Sequence, residues 1–99
     1  MSTFERKKIV VIGTGYVGLP AALMLAKAGH HVVGVDINEN IVRAINEGVM
    51  MIDEAELKAL MNDPAVRANL TAQTTPTEGD VFIIAVPTPI DPRRKVAVL

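Results

Sequence analysis

The sequence predicts an α/β fold: a parallel sheet in the strand order 3-2-1-4 with helices on both faces. Three observations predict it. Four consecutive β-branched residues, Ile9 to Ile12, run straight into Gly13-Thr14-Gly15-Tyr16-Val17-Gly18 and then into a helix-patterned segment. A second apolar run, His31 to Val35, ends in the acid Asp36, about 20 residues beyond the glycines. A third, Val81 to Val86, is unbroken and reads as a central parallel strand buried on both faces.

The glycine run is G-x-G-x-x-G between a strand and a helix, the context in which the pattern implies a dinucleotide site. Each glycine has its own reason. Gly13 permits the tight turn, Gly15 lets the backbone approach a pyrophosphate with no Cβ in the way, and Gly18 lets helix and strand pack closely. The phosphates then sit at the positive end of the new helix. Asp36 is placed to accept both ribose hydroxyls of an adenosine, and its charge would repel a 2′-phosphate, so the pattern favours NAD over NADP. The competing reading is a β-α-β unit whose glycines serve packing alone and whose Asp36 caps the next helix. Strand, glycines, helix, strand and acid in the required order favour the Rossmann-like reading.

The first helix carries Leu19, Ala22, Leu23 and Ala26 on one stripe, with Pro20 in its first turn and Gly29 after its end. His30 and His31 are adjacent and point to opposite faces of an extended chain, which suits turn residues better than a metal pair. Asn38 is an N-cap for a short helix through Ile41, Val42 and Ile45 that stops at Gly48. Asp53 and Glu56 have the spacing of a capping box, and Leu57, Leu60 and Met61 give the next helix its buried side. Met50, Met51 and Met61 read as core filler. Asp63-Pro64 restarts a turn of helix before a third strand, Leu70 to Thr74.

The turn-forming stretch Thr75 to Asp80 leaves room for about one helical turn before the fourth strand. With the fourth strand beside the first, Pro87-Thr88-Pro89 falls next to the glycine loop at the topological switch point, where ligands bind in open α/β sheets. Thr88 is the hydroxyl donor of that loop. The tail, Ile90 to Leu99, holds three consecutive bases, Arg93-Arg94-Lys95, which read as a solvated loop rather than a phosphate clamp. Residues 1–99 are expected to form one NAD-binding domain, incomplete because a full dinucleotide fold of this type continues through two more strands. The fourth strand would then be an apolar edge that another segment or a second copy has to cover.

Composition sets the remaining bounds. A chain of 99 residues, 49% apolar and 21% charged, suits one small globular domain. A net charge of −1 and three aromatic residues give no footprint for nucleic acid or an anionic membrane. The absence of cysteine removes disulfides, thiolate metal sites and a cysteine nucleophile from these residues. The apolar run after MSTFERKK is too short for a signal segment or a membrane span, so a cytoplasmic location is expected.

Together, VIGTGYVGLP, GVDIN, the AIN-x-G stretch at Ala44 to Gly48, and AVPTP resemble the amino-terminal cofactor domain of the nucleotide-sugar 6-dehydrogenases. This is the UDP-glucose/GDP-mannose dehydrogenase family, here most similar to its UDP-N-acetylmannosamine and UDP-N-acetylglucosamine dehydrogenase branch. The resemblance runs from about Lys8 to Pro89. It implies that Tyr16 and Val17 meet the cofactor through the glycine loop, that Asp36 with its neighbour Ile37 holds the adenosine, and that Pro87 and Thr88 serve the nicotinamide side. It further implies oxidation of the C6 alcohol of a UDP-sugar to a carboxylate in two NAD-dependent steps, through a thiohemiacetal on a cysteine outside these residues. Two departures stand out: Glu54-Ala55 replaces the family's usual Glu-Pro, and Ile41 stands where a base is frequent, leaving Arg43 as the substitute. Two other classes fit the glycines: a stand-alone nucleotide-sensing module, and the cofactor domain of a β-hydroxyacid-type dehydrogenase. The AVPTP loop and the two helices before the third strand favour the sugar dehydrogenases.

Overall fold

The computed structural model describes residues 4–13, 18–50, 53–85, 90–91 and 96–97. Met51, read as core filler, lies outside them. The elements are β1 (Lys8–Ile12), α1 (Leu19–Lys27), β2 (His31–Val35), α2 (Glu39–Glu47), α3 (Ala55–Asn62), α4 (Pro64–Asn69), β3 (Leu70–Gln73), β4 (Val81–Ile84), β5 (Ile90–Asp91) and β6 (Val96–Ala97). β1 to β4 form one parallel sheet in the order β3-β2-β1-β4, as the sequence predicts. β5 and β6, which the sequence did not suggest, pair antiparallel in a separate two-stranded sheet; Arg93, Arg94 and Lys95, read as a solvated loop, lie outside the described residues.

A nine-residue helix such as α1 is too short to hold by itself in water. Its stability comes from the stripe Leu19, Ala22, Leu23 and Ala26, every member fully buried. Burying the two leucines alone is worth roughly 1.5–3 kcal/mol each, more than the helix propensity of the whole segment can supply. α1 ends as expected at Gly29, with φ of 106°: Gly29 N–H donates to Ala26 O and His30 N–H to Leu25 O, the paired bonds of a Schellman ending. His30 is a turn residue whose Nδ1 accepts the Lys7 N–H at 3.1 Å.

The core lies between the sheet face of Ile9, Val11, Val32, Leu70 and Ala72 and all four helices, α1 to α4. Of the two helical layers expected, the described residues hold this one. Successive crossovers from β1 to β2 to β3 move the same way across the sheet, and right-handedness keeps their helices on one side. The opposite face carries the buried Val10, Val33 and Val35 with Ile12.

Three local expectations are corrected. The Asp53–Glu56 capping box does not form: Glu54 occupies the cap position without a side-chain bond, and Asp53 instead accepts from Lys58 Nζ at 2.8 Å. The helix begins one residue later than the box requires. The stretch between β3 and β4 contains no helical turn; instead Asp80 exchanges bonds with Lys8, its N–H donating to Lys8 O and its carboxylate accepting Lys8 N–H, both at 2.8 Å. β4 is not buried on both faces. Ile83 packs against the core, but Val81, Phe82 and Ile84 are 40, 53 and 71% exposed: β4 is an edge strand among the described residues, and Phe82 and Ile84 register with Val10 and Ile12 on the face opposite the helices.

The opposite edge of the sheet is closed by side chains. Asn46, near the end of α2, donates from Nδ2 to Ala72 O and accepts Ala72 N–H on Oδ1, both at 2.9 Å, so its amide stands in for a neighbouring strand. Leu70 N–H donates to Val66 O. Arg67 of α4 reaches across to the end of α2, its Nη2 donating to Ile45 O at 2.9 Å and Asn46 O at 3.0 Å. There the cation meets the negative end of the α2 dipole, where Ile45 O also accepts the Gly48 N–H at 3.1 Å.

α4 is started by Asp63, whose Oδ1 accepts Ala65 N–H at 2.8 Å while Oδ2 pairs with Lys27 of α1. The Lys27 ammonium, and then the Ala65 N–H, hold the Asp63 carboxyl below its usual value of 3.8. A carboxyl whose pKa is depressed by folding adds stability that is complete above the unfolded value and is lost as pH falls through the folded one.

Two predictions follow from these seams. Asn46→Leu strands both main-chain groups of Ala72 and should cost stability toward the lower end of roughly 1–3 kcal/mol in urea unfolding, since the site is partly open to water. Asp63→Asn keeps the cap and removes the charge; the stability gap between it and the parent chain, measured by urea unfolding, should be present at pH 7 and close as pH is lowered below 3.8.

Candidate functional site

The carboxyl ends of the strands bring Gly13, Gly18, Asp36 and Ile37, the described members of the predicted nucleotide site, to one edge. Gly13 follows β1 with φ of 86°, a left-handed turn that a side chain would strain, and its N–H donates to Val35 O at 2.8 Å. That bond continues the β1–β2 register one step and sets Gly13 beside the residue preceding Asp36. Asp36 N–H donates to Gln73 O at 3.2 Å, tying the ends of β2 and β3 together.

Gly18 caps α1 through its backbone, accepting Ala22 N–H at 3.0 Å. A Cβ at Gly18 would stand 2.3 Å from Gly13 O, 3.0 Å from Val11 Cγ1 and 3.1 Å from Ala85 Cβ. The missing side chain therefore brings the turn after β1, the start of α1 and the end of β4 into contact. Ala85 continues the β4–β1 pairing by donating its N–H to Ile12 O at 2.8 Å. Ala85 is the last described residue before Pro87 and Thr88.

Among the described residues, the start of α1 has no side-chain cap and no acidic residue in its first turn, and Pro20 lies there with no N–H to satisfy. α2 and α4 are capped by the side chains of Asn38 and Asp63, and α3, which also lacks a side-chain cap, has the acid Glu56 in its first turn. An uncapped helix start at the end of a parallel strand presents main-chain donors and the positive end of the helix dipole to an anion. The residues present fit the pyrophosphate of a dinucleotide there, because Gly13 and Gly18 add no bulk and no negative charge.

Asp36 lies one strand away, its Oδ1 accepting Asn38 N–H at 2.9 Å. Ile37 beside it is 93% exposed. Gly13, Gly18, Asp36 and Ile37 are thus brought to one edge; Gly15, Tyr16, Val17, Pro87 and Thr88 lie outside the described residues. The sequence reading missed two participants. Ala85 had no polar signal to mark it, and Asn38 was legible as a cap but not as a partner of Asp36.

Residues 7–98 match the UDP-glucose/GDP-mannose dehydrogenase family, NAD binding domain. The chain belongs to this family. It is 50% identical over 86 residues to a UDP-N-acetyl-D-mannosamine dehydrogenase of Methanococcus maripaludis, which covers 87% of this chain and 20% of that protein. Against the enzyme of the same name from Escherichia coli K12 it is 46% identical over 81 residues, 82% of this chain and 19% of the relative. Among solved structures it is similar to the UDP-N-acetyl-mannosamine dehydrogenase of Staphylococcus aureus, with a TM-score of 0.81 and 41% identity over 91% of this chain and 22% of that one. It is also similar to the GDP-mannose dehydrogenase of Pseudomonas aeruginosa, with a TM-score of 0.77 and 32% identity over 90% and 21% of the two chains. The chain spans about a fifth of the length of the curated relatives it matches.

NAD is the cofactor of this domain family, and the sequence expectation of a Rossmann-like NAD domain is met in strand order and in the close packing at Gly18, while the described residues hold one of the two expected helical layers. No helix among the described residues is long and apolar enough to cross a membrane.

The contact at Gly18 yields a prediction. Gly18→Ala must displace a main-chain carbonyl rather than a flexible side chain, so it should cost about 1–3 kcal/mol of stability in chemical unfolding and weaken dinucleotide binding in calorimetry, because α1 and the Gly13 turn move apart. An alanine variant with unchanged stability would mean that the two backbones do not meet in solution.

Proposed function

We propose that this chain is the cofactor-holding part of a nucleotide-sugar dehydrogenase that oxidises the C6 alcohol of a UDP-sugar to a uronate with two NAD. The observation that carries the reading is the meeting of Gly13, Gly18 and Ala85 at an uncapped helix start, one strand from Asp36. Gly13, Gly15 and Gly18 keep side chains away from the pyrophosphate, and Tyr16 and Val17 offer main-chain N–H groups to it. Asp36 accepts the ribose hydroxyls and Ile37 lies against the adenine. Pro87 and Thr88 face the nicotinamide half. Bound NAD supplies the hydride acceptor.

Substrate chemistry belongs to other parts of such an enzyme. A thiolate that holds the aldehyde between two oxidations has to come from outside these 99 residues, which contain no cysteine. The names of the relatives support a UDP-N-acetylated hexosamine as the sugar. A cytoplasmic location goes with use of NAD and a nucleotide sugar. The exposed apolar side chains of Phe82 and Ile84 support association along β4, whether with further sheet of the same protein or with a second copy.

Thermal unfolding of the full chain with NAD, with NADP and without ligand tests the cofactor part. Ligand at a hundredfold over its Kd adds about 2.7 kcal/mol if it binds only the folded state, a shift of roughly 10 °C for a domain of this size. NAD should give that shift, NADP a much smaller one, and Asp36→Asn should narrow the difference between them. A cooperatively folded chain that NAD does not stabilise would overturn the reading.

A further inference from the structure

Asp36 is held from two sides. Its N–H donates to Gln73 O at 3.2 Å, and its Oδ1 accepts Asn38 N–H at 2.9 Å. Asn38 is itself held: its side-chain Oδ1 accepts Asn40 N–H at 2.9 Å and Ile41 N–H at 3.4 Å, which makes it the N-cap of α2. The cap keeps Asn38 in an extended conformation, φ −82° and ψ 108°, with its N–H turned back toward the carboxylate two residues earlier. One residue therefore joins the first turn of α2 to the acid at the end of β2.

We infer that Asn38 is the positioning residue for Asp36: by capping α2, its side chain fixes the main-chain N–H that orients the carboxylate, and with it the preference for a 2′-hydroxyl over a 2′-phosphate. The inference rests on the NAD reading of Asp36 above. A carboxylate rotates easily about its terminal torsion, so without a fixed donor its charge is spread over several orientations. With Oδ1 engaged by Asn38, Oδ2 is the oxygen available to ribose. A charge held in one place repels a 2′-phosphate strongly, whereas one that swings with a frayed helix start repels it less.

Calorimetric titration of the full chain with NAD and with NADP distinguishes the outcomes. Asn38→Ala should weaken NAD binding by about three- to tenfold, the size of a lost cap, and NADP binding by less, so that the ratio of the two affinities narrows. Asn38→Ser, whose hydroxyl can cap, should stay within about twofold of the parent ratio. Asn38→Gly, tolerated at caps but lacking the acceptor, replaces the alanine variant if that one does not fold. A parent-like ratio in the alanine or glycine variant overturns the inference, whether the affinities are unchanged or fall together; so does a serine variant as impaired as alanine. If Asp36→Asn narrows the ratio while Asn38→Ala does not, the positioning role fails and the cofactor reading stands. If the parent chain shows no preference for NAD, the cofactor reading fails and takes this inference with it.

Discussion

The backbone-to-backbone contact at Gly18 is the constraint on which the other features of the site depend. With 2.3 Å between an ideal Cβ and the Gly13 carbonyl, no residue but glycine lets α1 start where it does. That starting point decides which side chains of α1 reach the sheet, and Leu19, Ala22, Leu23 and Ala26 are consequently buried in full. It also decides where the helix dipole points. The same contact closes the core over β1 and sets the positive end of the α1 dipole at the end of that strand, so both depend on one substitution-intolerant position.

The second organising element is α2, which is coupled to the sheet at both ends. Its first turn is capped by Asn38, which also engages Asp36; its last turn carries Asn46, which pairs with both main-chain groups of Ala72. Arg67 supplies charge at that same end from α4. The β3 edge is thereby satisfied by protein groups, while β4 at the opposite edge is left with exposed apolar side chains. The two edges of the four-stranded sheet therefore differ in kind: one is closed by a side-chain amide, and the other carries apolar side chains in water.

Much of this was legible in the residue order because its cause is local. Gly13 at a tight turn, Gly18 at a helix start, a stripe at helical spacing, Asn38 before a helix and Gly29 after one are each found where the pattern predicts them. The failures have a common origin. The Asp53–Glu56 spacing is a valid capping box on paper, but Lys58 competes for the Asp53 carboxylate and the helix begins at Ala55. Val81 to Ile84 has the composition of a strand buried on both faces, yet exposure depends on its neighbours, and composition carries no record of them. The pairing of β5 with β6 rests on only two residues a side, too few for a periodic signal.

The sequence by itself determined the fold class, the strand order, the nucleotide-binding pattern and the family, because each rests on spacing along the chain that the backbone geometry converts directly into position. Tertiary structure alone decided how those parts are joined: that Ala85 completes the contact around Gly18, that Asn46 closes the edge of β3, and that the cap of α2 reaches back to the carboxylate of Asp36. These are contacts between residues whose pairing depends on distance in space, and a side-chain amide such as that of Asn38 or Asn46 has the same composition whether it faces water or the main chain of another element.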